Sequence, residues 1–236
     1  MAQSNNSPPV RRPVLRKVMA VAGALAFATA GVGALHMPFA RSLLMRIGGC
    51  PMAGAHMTPK EMENARHIAL PTERGSFLAP ARPSVGFALD TTSLAEVHAW
   101  ADRDKVDCED KHAGLVICTN VQPAALGLPE TEGVVDELAL AFNERLLLVN
   151  ETTMRTHLTP QGAERAAHAI LDSLIAKLGP ANEHVGDFGA RKLSGPAASS
   201  ISTVSYRYTD YVADVSAMNS PHSGPLVREH YMSAND

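Results

Sequence analysis

Ten histidines, three cysteines and a knot of acids are the residues of this 236-residue chain best suited to chemistry. A hydrolytic zinc site needs two histidines one helical turn apart and a third ligand, as in H-E-x-x-H. No such set occurs: His56 and His67 stand alone on either side of a capped helix start, and His157 and His168 flank the start of another. Scattered surface histidines account for all ten. The acids Asp102, Asp104, Asp107, Glu109 and Asp110 lack the central glycine and closing glutamate of a calcium loop. They fit a solvated helix end. There is no G-x-S-x-G nucleophile elbow, no P-loop and no G-x-G-x-x-G. The sequence therefore offers no catalytic, cofactor-binding or metal-binding residue.

The cysteines and tyrosines remain. The stretch VDCEDKHAGLVICTN reads as a hairpin around His112-Ala113-Gly114. Antiparallel pairing from Lys111 opposite Leu115 sets Cys108 opposite Cys118, where a disulfide can form. Two unpaired thiols are the alternative. Cys50 is left over as a lipid site, a free thiol or an intermolecular partner. The absence of a C-x-x-C pair argues against metal binding by these cysteines. In YRYTDYVADVS, Tyr206 and Tyr208 are two apart, so they share one face of a strand. With Tyr211 they make a candidate partner-binding face; the plainer reading is tyrosine as a good strand residue covering a sheet.

The elements that must position these residues follow from capping and periodicity. Thr58-Pro59 with Glu61 is a capping box opening a short helix over 59–69. Ser93 with Glu96 opens a second, with Leu94, Val97, Trp100 and Ala101 on one face. VVDELALAF alternates like a half-buried strand and turns at Asn143-Glu144 into RLLLVNETTM. Thr159-Pro160 starts a long helix, stopped by Gly179-Pro180. Its stripe is Ala163, Ala166, Ala167, Ile170, Leu171, Leu174, Ile175 and Leu178. STVSYRYTDYVADVSAMN then reads as two strands turning near Thr209-Asp210. Each half is a helix followed by an antiparallel meander. The fold expected is therefore α+β, a two-layer domain of helix-plus-meander repeats over 85–219. Residues 41–84 read as a spacer with a short helix, and 220–236 as a flexible tail.

Residues 18–40 carry no charged side chain and follow Arg11, Arg12, Arg16 and Lys17. Such a run spans a bilayer core of about 30 Å as a helix, and the preceding cations place residues 1–17 in the cytoplasm. A cleaved secretory signal, with Ala28-Thr29-Ala30 as its site, competes with this reading. So does a lipoprotein signal ending at Cys50, which Arg41 and Arg46 interrupt, and so does a buried helix of a soluble protein. On the anchor and signal readings the rest lies outside the cytoplasm, in the periplasm or secreted. The chain after residue 60 holds 14 basic and 24 acidic groups, a surplus of acid that argues against nucleic acid as a partner.

AKLGPANEHVG and AFNERLLLV, set in the helix-then-meander order, resemble the β-lactamase-inhibitor-protein-like fold. That fold is shared by small envelope-assembly lipoproteins of the SmpA/OmlA type. The resemblance covers residues 90–219. It departs at ADRDKVD, where the first helix lacks a Leu-Gly-Pro ending, and in the missing lipobox. It implies a tandem architecture and a binding or assembly role in the bacterial envelope, with no site residue carried over. The expected function is thus a membrane-anchored or exported non-enzymatic module. Its expected partners are the membrane, through residues 18–40, and another envelope protein. An exported hydrolase with a dispersed site is the alternative.

Overall fold

The structure, a computed structural model, describes residues 58–111, 114–129, 133–196 and 201–235, within a unit spanning 54–236. The basic tail, the charge-free run at 18–40 and Cys50 lie outside the described residues. Among those described, no helix is long and apolar enough to cross a membrane.

The chain order is α1 (Pro59–Glu73), α2 (Leu94–Asp104), β1 (Asp107–Lys111), β2 (Leu115–Val121), β3 (Val135–Phe142) and β4 (Leu148–Arg155). Then come α3 (Pro160–Leu178), β5 (Glu183–Val185), the single-turn α4 (Ala190–Leu193), β6 (Ile201–Arg207), β7 (Tyr211–Ser220) and β8 (Gly224–Ser233). The strands form one eight-stranded sheet in the order β1-β2-β3-β4-β8-β7-β6-β5, with every neighbour antiparallel. The protein is α+β: two four-stranded meanders, each preceded by a helix, join through their last strands, β4 and β8.

Local chemistry sets these elements. Both expected capping boxes are present, Thr58 with Glu61 and Ser93 with Glu96. Thr159 caps α3 by accepting from Gly162 N at 3.0 Å. Asn143 Oδ1 accepts from both Arg145 N and Leu147 N, each at 3.0 Å, so the β3–β4 turn runs longer than two residues. β4 accordingly begins at Leu148. The inner face of the sheet carries Val116, Leu138, Leu140, Phe142, Val215 and Val227 beneath α2 and α3. Trp100 donates its indole N–H to Ala125 O at 2.8 Å. Each large apolar side chain buried this way contributes about 1.5–3 kcal/mol before chain entropy is counted.

Four sequence expectations need correction. Residues 220–236 are not a loose tail: β8 is a central strand, paired to β4 and β7 on its two sides. Within 41–84, the part from Thr58 onward is no spacer. α1 continues through Pro71 to Glu73, and its Leu70 packs on the outer face against Val212, Met232 and Ala234. The chain then passes the β6–β7 turn, with Gly75 N donating to Tyr208 O and Thr209 N to Phe77 O, and reaches the inner core at Val85. Ile175 is half exposed although its seven stripe-mates on α3 are buried. One residue past Leu174 turns it about 100° further round the helix, off the buried arc.

The tyrosines are the fourth correction. Tyr206 and Tyr211 are fully buried under α3, and Tyr208 is half buried with its hydroxyl donating to Leu178 O at 3.0 Å. The β6 and β7 residues of this parity face inward, so Tyr206, Tyr208 and Tyr211 cover core and do not form a partner-binding face.

Candidate functional site

Cys108 and Cys118 sit opposite each other in the expected register and are at disulfide distance, with Cα atoms 3.9 Å apart. They join the edge strand β1 to β2. Among the described residues no three His, Cys, Asp or Glu side chains are placed to hold a metal ion. A cleft of about 200 Å³ lies where α2 runs into β1, lined by Asp104, Lys105, Asp107, Thr119, Asn120 and Gln122. It is smaller than the roughly 300–1,000 Å³ typical of small-molecule sites.

The polar residues concentrate on both faces of the β4–β8–β7 seam. On the inner face, β4 presents Glu151, Thr153 and Arg155, and β8 presents Glu229 and Tyr231, all buried. Glu229 accepts from Arg155, from Thr153 Oγ1 at 2.9 Å and from the Tyr231 hydroxyl at 2.5 Å. Its charge is thereby matched. Among the described residues Glu151 has no cation beside it: Oε2 accepts from Val85 N at 3.2 Å and Oε1 has no hydrogen-bond partner. Burial, reinforced by the charge on Glu229, pushes the Glu151 carboxyl well above its ordinary range, against the lowering effect of the Val85 bond. Burial therefore favours the protonated form of Glu151. Burial likewise raises Tyr211 and Tyr231. Sealed from solvent, this group joins the two meanders.

The outer face carries a second cluster. Asp214 on β7 accepts from Ser205 Oγ at 2.6 Å, pairs with Arg207 at 2.7 Å, and faces His230 Nδ1 at 3.5 Å. Arg207 also reaches Glu73 of α1 at 3.3 Å. Burial alone would raise Asp214, but the bonds from His230, Arg207 and Ser205 outweigh it and hold the carboxylate below its ordinary range. Ser205 donates to Asp214 and not to His230, so the three are not wired as a Ser-His-Asp relay. The same cross-strand row continues as Thr152 on β4, Ala139 on β3 and Ile117 on β2, all half exposed. Arg228 stands one row along, between Met154 and Ser216. This is a broad, shallow surface of small side chains with a charged centre.

Sequence reasoning passed over both clusters. The only signal was the alternation of Glu151, Thr153 and Arg155 along NETTMR, and such a polar stripe reads as the solvent side of a strand. No family model, curated protein or solved structure matches the chain.

Proposed function

We propose that the folded part is a non-enzymatic binding or assembly module of the bacterial cell envelope. On this reading residues 18–40 hold it at the membrane or export it, and the outer sheet face receives a partner protein. The observation that carries the reading is the asymmetry of the sheet. Helices bury the middle of one face, from Val116 on β2 to Val204 on β6. On the other, α1 seats Leu70 at one end while the rows through Ile117, Ala139, Thr152 and His230 stay accessible. A flat surface of small residues around a few fixed charges suits protein recognition better than enclosure of a small molecule. A Cys108–Cys118 disulfide suits an oxidising compartment. The helix-then-meander duplication agrees with the β-lactamase-inhibitor-protein-like resemblance.

The test is site-directed photo-crosslinking in intact cells. A crosslinking residue at Thr152 on the outer face should capture a discrete envelope protein. The same residue at Asp172, exposed on α3, should not. Equal labelling from both positions, or none from Thr152, would reject the outer face as the recognition surface.

A further inference from the structure

The Cys108–Cys118 pair ties the charged edge strand β1 to β2, whose outer side β1 covers. β1 is an edge strand with the sequence Asp107-Cys108-Glu109-Asp110-Lys111, and Cys108 is its one half-buried residue. No large apolar side chain fastens this strand. Asp110 meets His98 of α2 at 2.9 Å, but both are exposed, and such a pair contributes little. β2 beneath it is the opposite kind of strand. Leu115-Val116-Ile117-Cys118-Thr119-Asn120-Val121 carries no charge and is rich in branched residues. Its other side is already paired with β3. A charged edge strand over an apolar one is an arrangement that prevents edge-to-edge association.

We propose that β1 is a disulfide-locked cover over a latent strand-pairing edge, and that its release lets β2 pair antiparallel with β2 of a second copy of this chain. The second copy is the fitting occupant because the strand is neutral. Two-fold antiparallel pairing sets each β2 side chain opposite another from the same seven residues, so no like charges meet, and the contact closes as an isologous dimer. Release requires a dithiol reductant. Its thiolate attacks Sγ of Cys108, the less buried of the two; the S–S bond breaks and Cys118 leaves as a thiolate that takes up a proton. The second thiol of the reductant then displaces Cys108 as its thiol. Two electrons and two protons pass to the protein, and the reductant departs as its own disulfide. β1 can leave without unwinding its neighbours, because α2 ends at Asp104 and β2 starts at Leu115.

The experiment uses the full-length chain carrying Cys50→Ser, in dodecyl maltoside, with and without dithiothreitol. Hydrogen exchange reads β1, and light scattering corrected for detergent reads mass. A clamp of this kind holds the opening equilibrium back by roughly 30- to 800-fold. Reduction should accelerate exchange at residues 107–111 on that scale while β3 and β7 stay protected, and the protein should become dimeric. Adding Thr119→Lys, on the exposed side of β2, should restore the monomer and leave β1 exchange fast. Cys108→Ser should reproduce the dimer without reductant. Continued protection of β1 once both thiols are free overturns the proposal. So does a monomer with β1 released, or a dimer that Thr119→Lys does not disturb. Collapse of the whole sheet, seen as loss of protection in β3 and β7, overturns it as well, since the other seven strands must persist.

Discussion

Arg155 and Glu229 meet across the β4–β8 pair, the one strand junction that joins the two four-stranded meanders. Both are buried, so each has given up its hydration for the other. Removing one member of such a pair costs about 3–5 kcal/mol, mainly through the charge left behind. Arg155→Met should lower the urea midpoint accordingly. Adding Glu229→Gln should recover at least half of the loss. Strictly additive losses in equilibrium unfolding would show that the two residues are not coupled.

Glu151 should make the domain less stable as pH rises. Its folded-state pKa is raised above the ordinary value of 4.5. Its contribution is therefore fully present below that value and is lost as pH climbs through the raised one, by at most about 1.4 kcal/mol per pH unit. Glu151→Gln keeps the shape of the neutral acid and cannot ionise. Thermal melts of the two proteins should nearly coincide at pH 5, and the variant should pull ahead steadily toward pH 9. A constant gap across that range would mean that Glu151 does not titrate on unfolding.

The half of the fold that follows simple periodicity is legible in the sequence. The β1–β2 register could be read to the residue because a short turn leaves a hairpin little freedom, and Cys108 opposite Cys118 followed from it. The buried arc of α3 was legible because small and branched residues recur at helical spacing. β8 was not, since Arg228, Glu229 and His230 in succession look like solvent-facing chain. The cation that matches the charge of Glu229, Arg155 on β4, is more than 70 positions away. The docking of α1 was hidden for a related reason: one leucine and a few hydrogen bonds leave no periodic trace. The outer cluster draws Ser205, Arg207, Asp214 and His230 from three strands, and nothing local marks them as neighbours.

α1 should come away from the sheet without unfolding it. Among the described side chains of α1, Leu70 is the one deeply buried anchor. Arg66 adds bonds to Ser233 O at 2.8 Å and Asn235 O at 3.1 Å, and Arg74 donates to Ala234 O. Leu70→Ala should weaken docking by about 2–3 kcal/mol. Limited proteolysis should then cut within residues 59–73, while the melting of the remaining domain stays close to wild type. A cooperative loss of the whole domain would instead make α1 part of the folding core.

Gly75 is where the chain leaving α1 crosses the β6–β7 turn, and it tolerates no side chain there. A Cβ at this position would lie 2.0 Å from Arg207 O and 2.6 Å from the Arg207 carbonyl carbon, both backbone atoms that no rotamer change can move. The same residue donates its N–H to Tyr208 O at 3.2 Å, so the close approach is also a bonded one. Gly75→Ala must lift the crossing segment off the turn and break that bond. The displaced carbonyl belongs to Arg207, whose guanidinium holds both Asp214 and Glu73, so the disturbance should reach the charged centre of the outer face. A cost of about 1–3 kcal/mol is expected from the overlap. Hydrogen exchange should quicken at Gly75 and Thr209 first, and crosslinking from Thr152 should fall with it. An alanine variant as stable as wild type, with both amides still protected, would show that the crossing does not pass this closely over the turn.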